Sequence, residues 1–184
     1  MEVVIGFGGL ILLIVVIGLV ASSARGGQRK VLGDLAQANG LTYASEGVGH
    51  RIAGALDGRA LTMTAQPGNG GVQEERWIVE LHTKPPDGFG ATKKRMLGGV
   101  SEGATRVLTG DGSFDGAVLA EARDVEGTRA YLTEARRAAL LQLVAAGGIL
   151  YDGKLMLHKP GLDTSSAKLR ARVDMLRSIA AAID

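Results

Sequence analysis

The stretch HRIAGALDGRALTMTAQ, residues 50–66, carries the signal that decides the fold. Apolar residues alternate with small or polar ones on both sides of the pair Asp57-Gly58, as Ile52 does before it and Met63 after it. Asp-Gly between two alternating runs favours a type I′ turn, because that turn needs positive φ at both central residues. The stretch therefore predicts two antiparallel strands joined by a two-residue turn.

A second Asp-Gly pair, Asp152-Gly153, predicts another hairpin in ILYDGKLMLHKP, residues 149–160. Other alternating or β-rich runs predict strands at residues 41–45, 76–84, 91–97 and 105–108. Lys93, Lys94 and Arg95 favour an edge position for the run at residues 91–97, because charges protect an exposed strand edge. These hairpins predict a sheet that is antiparallel rather than parallel.

Three helical regions are expected around this sheet. The first covers residues 28–39, with Gly40 as its C-cap, and the second begins near Glu126, with Thr133 as an internal N-cap. The third follows residues 163–166. Its apolar positions recur at three- and four-residue spacing: Leu169, Val173, Leu176, Ala180 and Ile183. The predicted fold class is therefore α+β, with an antiparallel sheet and about three helices.

The N-terminal run VVIGFGGLILLIVVIGLVA, residues 3–21, contains no charged residue. As a helix it would extend roughly 28 Å, close to the thickness of a bilayer core. It predicts a single transmembrane helix with the lipid bilayer as its partner. A cleaved signal peptide remains an alternative, with Ser22-Ser23-Ala24 as the small residues of a cleavage site.

Charges beside this run predict its orientation. Arg25, Arg29 and Lys30 follow the run, and no Lys or Arg precedes it. The positive-inside rule then places the N-terminus outside and the domain in the cytoplasm, on a bacterial inner membrane. The predicted organisation is an anchor at residues 1–22, a basic linker at residues 23–30 and one domain at residues 31–184. The oligomeric state stays open.

Composition excludes several kinds of site. The chain has no cysteine, so disulfides, thiolate nucleophiles and cysteine-bound zinc are excluded. Its formal net charge is +2, and aromatic residues make up 4% of it. A weak positive field without aromatic stacking platforms does not favour nucleic acid as a partner.

The stretch DGSFDG, residues 111–116, is the strongest candidate for a metal site. Counted as a calcium loop from Asp111, it places Ser113 at position 3, Asp115 at position 5 and a glycine at position 6. Position 12, where a bidentate Glu is needed, is an alanine, and the segment before the loop is strand-like. The pattern favours a turn in which both aspartates bond their own backbone and Phe114 fills the core.

Other motifs carry less chemistry. The three histidines, His50, His82 and His158, share no ligand spacing in the sequence. GFGATKK, residues 88–94, lacks the spacing of a phosphate-binding loop. Lys84 and Lys93-Lys94-Arg95 could form a basic strip for anionic lipid or nucleic acid, although an edge strand exposed to solvent is the commoner explanation of such charges. No cofactor is predicted.

Four segments resemble bacterial membrane-anchored domains of uncharacterised activity. They are IAGALDGRALTMT, TRVLTGDGSFDGAV, LTEARRAALLQLVAAGG and YDGKLMLHKPGLD. In that group a G-x-x-x-G-R turn precedes a T-G-D-x-x-F-D motif. Matching positions in this chain are Gly54, Gly58 and Arg59 for the first motif, and Thr109, Gly110, Asp111, Phe114 and Asp115 for the second. The resemblance implies a membrane-anchored bacterial protein and no catalytic residue.

Two functions follow as hypotheses. The first is a membrane-tethered, non-enzymatic interaction or accessory module, because the sequence contains a folded domain without a recognisable catalytic constellation. The alternative is a metal-dependent or hydrolytic enzyme centred on Asp111 and Asp115.

Overall fold

The computed structural model describes residues 26–68, 72–94 and 103–184. Within these residues the chain forms one nine-stranded antiparallel sheet with the order β1-β2-β3-β4-β9-β8-β5-β7-β6. The strands are β1 (Thr42–Glu46), β2 (Gly49–Leu56), β3 (Arg59–Pro67), β4 (Gln73–Glu80), β5 (Gly90–Lys93), β6 (Thr105–Arg106), β7 (Val118–Ala122), β8 (Gly148–Tyr151) and β9 (Lys154–Pro160).

Five helical segments occur in the described part of the chain. They are α1 (residues 26–38), α2 (Gly112–Ala117), α3 (Val125–Tyr131), α4 (Glu134–Ala145) and α5 (Ser166–Ile183). Side-chain oxygens of Asp111, Asp124, Thr133 and Ser165 cap α2 to α5 by accepting backbone N–H groups of the first turn. Each cap satisfies a donor that the helix itself leaves unpaired.

Both Asp-Gly pairs form the two-residue turns of hairpins. Asp57 and Gly58 have φ of 51° and 81°, and they connect the paired residues Leu56 and Arg59. The second pair has φ of 48° and 70° and connects β8 to β9. Positive φ at both central positions is the geometry that lets a two-residue turn follow the twist of the strands.

The core lies between one face of the sheet and the helices. Register aligns Ile52, Met63, Trp77 and Leu157 across β2, β3, β4 and β9, and all four are buried. The apolar stripe of α5 and the inner side of α4 are buried with them. The opposite row of the sheet includes exposed Arg76 and His158, so the helices cover one face. This division follows from the period-2 alternation of the strands.

The predicted fold class needs correction: among the described residues no helix is suited to cross a membrane, and there are five helical segments rather than about three. Where a turn was predicted, the Asp111 side chain caps a short helix, α2. The predicted N-cap at Thr133 is confirmed, and it separates the helical region that begins near Glu126 into α3 and α4. The separation has a local cause: Thr133 has a non-helical backbone, with φ of −58° and ψ of 165°, and its side chain starts a new helix by accepting the backbone N–H of Arg136.

Two strand predictions also need correction. The strand β5 is internal, because Gly90 pairs with Tyr151 on one side and Glu121 on the other. Its charged residues begin only at Lys93, the end of the strand, so they do not protect an edge. The strand predicted at residues 76–84 is shifted towards the N-terminus, to Gln73–Glu80.

The predictions of a transmembrane helix, a single-pass membrane protein and a cytoplasmic domain on the inner membrane are corrected as well. Across residues 26–68, 72–94 and 103–184, no helix combines the length and apolar character needed to cross a membrane. The helix α5 has 18 residues, but charged side chains recur along its exposed side. Residues 3–21 and Arg25, on which these predictions depended, lie outside the described residues.

The predicted basic linker is helical in its described portion. Arg29 and Lys30 belong to α1, and the Lys30 ammonium lies 2.7 Å from the Asp34 carboxylate one turn later. Leu32 and Leu35 of the same helix are buried in the core. From residue 26 onward, the segment before residue 31 therefore continues directly into the folded domain.

Candidate functional site

The Asp111 carboxylate organises the start of α2. Its Oδ1 accepts the backbone N–H groups of Ser113 and Phe114 at 3.0 and 3.1 Å. Its Oδ2 accepts from Nε of Arg137 on α4 at 3.2 Å. Phe114 is fully buried, whereas Ser113 is exposed. The carboxylate thus orients a core phenylalanine and ties α2 to α4.

The Asp115 carboxylate closes the loop that precedes the helix. Its Oδ1 accepts from both the backbone N–H and the hydroxyl of Thr109 at 3.0 Å, and its Oδ2 accepts from the N–H of Gly110 at 2.9 Å. Gly110 has φ of 82°, a conformation that favours glycine. The T-G-D-x-x-F-D residues therefore form a self-contained loop and cap.

Hydrogen bonding lowers the pKa of both aspartates. For Asp111 the N–H of Phe114 is the largest cause, with further contributions from Ser113 and Arg137. For Asp115 burial opposes ionisation, but the bonds from Thr109 and Gly110 and the positive charge of Arg106 outweigh it, so its pKa is also lowered. Both groups are held as carboxylates, the form that general-base chemistry needs and general-acid chemistry does not.

The structure does not join these aspartates to a third metal-ligating side chain. Among the described residues, no group of three His, Cys, Asp or Glu side chains is placed to hold a metal ion. The Asp111 and Asp115 oxygens face N–H donors and an arginine, which repel a cation. Their arrangement suits the structural interpretation of DGSFDG better than the calcium-loop interpretation.

The three histidines lie at separate places. His50 on β2 shares a hydrogen bond of 2.9 Å between its Nδ1 and the Tyr43 hydroxyl, and burial together with Arg29 lowers its pKa. His158 on β9 lies 3.2 Å from the Glu74 carboxylate on the exposed face of the sheet. His82 lies beside the Asp57-Gly58 turn, where its ring approaches the glycine.

The predicted basic strip is only partly described. Lys93 ends β5, and the Lys94 ammonium donates to the backbone carbonyl of Asp115 at 2.9 Å. Lys84 lies in the loop after β4, beside Pro85. Arg95 lies outside the described residues. Lys94 thus forms a hydrogen bond that helps to hold the T-G-D-x-x-F-D loop in place.

A buried ionic network that the motif analysis missed connects β4 to α5. Glu75 on β4 is 0% exposed. Its carboxylate accepts from the Arg172 guanidinium, from Nε1 of Trp77 at 2.5 Å and from the backbone N–H of Asp163 at 3.1 Å. A buried carboxylate needs such partners, because an unpaired charge inside a protein is strongly destabilising.

Asp163 extends the network to the surface. Its Oδ2 lies 2.9 Å from Arg172 and 2.5 Å from the Lys159 ammonium, and its Oδ1 lies 3.8 Å from Lys168. Lys159 and then Arg172 lower the pKa of Asp163 by hydrogen bonding to its ionised form. The sequence does contain one signal for this cluster: Glu75 precedes Trp77 by two residues, so strand alternation places both on the buried face.

Comparison with known proteins shows a structural likeness. No protein-family model matches the chain, and no curated protein matches its sequence. The fold is similar to the crystal structure of the mycobacterial trehalose monomycolate transport factor A, TtfA, with a TM-score of 0.58 over 85% of this chain and 93% of that chain. The two sequences are 10% identical, so the likeness shows the fold alone. The resemblance to bacterial domains with a T-G-D-x-x-F-D motif stays a prediction.

Proposed function

We propose that this chain is a non-enzymatic interaction or accessory module. The observation that carries the proposal is the bonding of Asp111 and Asp115. Each carboxylate accepts backbone N–H groups of its own loop, and Asp111 also pairs with Arg137. A catalytic carboxylate must instead reach a substrate proton, a water or a metal. These side chains stabilise the loop between β6 and β7.

The similar fold in TtfA supports the proposal. TtfA is a trehalose monomycolate transport factor, and that name describes a role in transport rather than a reaction. The likeness extends to the fold and supplies no ligand for this chain. TtfA is thus an example of a similar fold in a transport factor.

The alternative is an enzyme centred on the same two aspartates. Substrate or metal binding there would have to replace several N–H bonds at about 3 Å, and each replaced bond would leave a donor to be satisfied elsewhere. The interaction module requires no such rearrangement and is therefore the better-supported hypothesis.

Activity assays on the full chain test the proposal. Wild-type protein, Asp111→Asn, Asp115→Asn and the control Asp124→Asn should be compared on ester, phosphoester, peptide and glycoside substrates with and without divalent metals. Asp124 is a matched control because it caps α3 as Asp111 caps α2. We expect no turnover above background for any protein. Turnover that Asp115→Asn abolishes and Asp124→Asn retains, with both variants folded, would favour the enzyme.

A further inference from the structure

A groove with charged and apolar parts lies beside the buried network. We call it the α5 groove; it runs between α5, β9 and the C-terminal end of α4 and has a volume of about 430 Å³. That volume falls within the roughly 300–1,000 Å³ of small-molecule pockets. Its side chains divide into an apolar group, Ala146, Leu157, Ala171 and Met175, and a cationic group, Lys159, Lys168 and Arg172.

The charges of the groove are unbalanced. Its described lining contains three cations and no acidic residue. The two carboxylates beneath it, Glu75 and Asp163, are already bonded to Arg172 and Lys159, which leaves one net positive charge in the cluster. Lys168 is the least engaged cation, since its ammonium is 3.8 Å from Asp163 and its side chain is 70% exposed.

The apolar residues lie next to these cations. Leu157 is buried at the base, Met175 is half-buried, and Ala171 is exposed one turn after Lys168 on α5. Helical residues three or four apart share a face, so Lys168, Ala171 and Met175 form a continuous strip with its charge at one end. A free inorganic anion would leave the apolar strip in water, and a neutral lipid would leave the positive charge unpaired.

We propose that the α5 groove binds a single-chain anionic amphiphile. Its anionic head pairs with Lys168, and its hydrocarbon chain lies over Leu157, Ala171 and Met175. This proposal rests on the proposed function, because it names the ligand class of the same non-enzymatic module. The groove has a volume of about 430 Å³, typical of a small-molecule pocket, which favours a monomeric amphiphile over a membrane surface.

Decanoate below its critical micelle concentration is the probe. Binding to the full chain is followed by calorimetry and by the emission of Trp77, the single tryptophan, which bonds Glu75 and so responds to changes at Arg172. We expect saturable binding that tightens by up to roughly fourfold for each methylene added from octanoate to decanoate, until the groove is filled. Octyl glucoside tests the chain with a neutral head, and inorganic phosphate tests an anion without a chain.

Matched variants on one helix locate the site. Lys168→Gln and Ala171→Glu should each weaken decanoate binding at least tenfold, because the first removes the cation and the second introduces a repelling carboxylate. Arg170→Gln and Ser178→Glu make the same charge changes at other exposed positions of α5 and should stay within twofold of wild type. Circular dichroism confirms that each variant is folded.

Several outcomes would overturn the proposal. These are the absence of saturable decanoate binding, equal affinity of all variants for decanoate, an octyl glucoside affinity equal to that for octanoate, or a phosphate affinity equal to that for decanoate. Sedimentation with phosphatidylglycerol vesicles without binding of monomeric decanoate would assign the cations to a membrane surface instead. Turnover lost in Asp115→Asn with decanoate binding intact would refute the non-enzymatic function and leave the groove as a ligand site. Absence of decanoate binding together with absence of turnover would refute the groove proposal and leave the non-enzymatic function standing.

Discussion

Replacing Arg172 with methionine should destabilise the domain strongly. Methionine keeps the apolar stem and removes the charge that pairs with Glu75 and Asp163. The Arg172 side chain is 11% exposed and Glu75 is 0% exposed, so the variant leaves a buried carboxylate without its main counter-charge. Breaking such a pair costs about 3–5 kcal/mol of unfolding free energy.

The remaining bonds place the expected loss near the lower limit. Glu75 still accepts from Trp77 and from the N–H of Asp163, and Asp163 still pairs with Lys159. We therefore expect a loss of about 3 kcal/mol, a large part of the roughly 5–15 kcal/mol typical of a domain. In a protein of this size that corresponds to a fall in Tm of roughly 6–12 °C.

Urea unfolding followed by Trp77 fluorescence measures this loss directly. Arg170→Met on the exposed side of α5 is the control and should change the unfolding free energy by less than about 0.5 kcal/mol. The double variant Glu75→Gln with Arg172→Met removes both charges and should be more stable than Arg172→Met alone. A loss below about 1 kcal/mol for Arg172→Met, or a double variant whose losses simply add, would refute this account of the network.

Three further predictions concern other charged or titratable side chains. Asp184→Ala should cost about 1–3 kcal/mol in urea unfolding, because it leaves Arg59, 2.5 Å away and largely buried, without its partner; Asp184→Asn should cost less, since its carbonyl can still accept from Thr83. The lowered pKa of Asp163 stabilises the fold above the ordinary pKa of about 3.8, and this contribution is lost as pH falls through the folded-state pKa. Asp163→Asn should therefore lower the unfolding free energy at pH 7 and make it depend less on pH below about pH 4. The lowered pKa of His50 makes the unfolded state bind its proton first as pH falls below 6.5, so stability should decrease from pH 7 to pH 5 in wild type and less in His50→Gln.

Each of these has a contrary outcome. Equal stability of Asp184→Ala and wild type would mean that the Arg59 contact contributes nothing. Acid unfolding curves of Asp163→Asn parallel to wild type would assign the low-pH loss to other carboxylates. A histidine NMR titration that places the His50 pKa at or above 6.5 would contradict the inference that burial lowers this pKa.

Local sequence signals predicted the hairpins well. Asp57-Gly58 and Asp152-Gly153 form their turns because a type I′ turn depends on the two central residues alone. The apolar stripe of α5 likewise marks its buried face, since helical spacing is a local property. These features need no knowledge of distant contacts.

Long-range order was not accessible in the same way. The internal position of β5 depends on partners about thirty and sixty residues later in the chain, Glu121 and Tyr151, and its lysines suggested an edge. The ionic network joins Glu75 to Arg172 through folding of the whole chain, so no motif spacing marks it. The DGSFDG pattern, by contrast, is a local signal: Asp111 and Asp115 accept backbone N–H groups of their own loop, as the turn interpretation of the sequence predicted.

Amide NMR of the T-G-D-x-x-F-D loop during metal titration tests the central claim most directly. The backbone N–H groups of Thr109, Gly110, Ser113 and Phe114 donate to the two carboxylates that a metal or substrate would have to capture. With Ca²⁺, Mg²⁺, Mn²⁺ or Zn²⁺ at millimolar concentration, these four signals should show no saturable change beyond that of the matched cap signal from Gly127. Saturable shifts or line broadening confined to the four, and abolished in Asp115→Asn, would contradict the structural role of this loop.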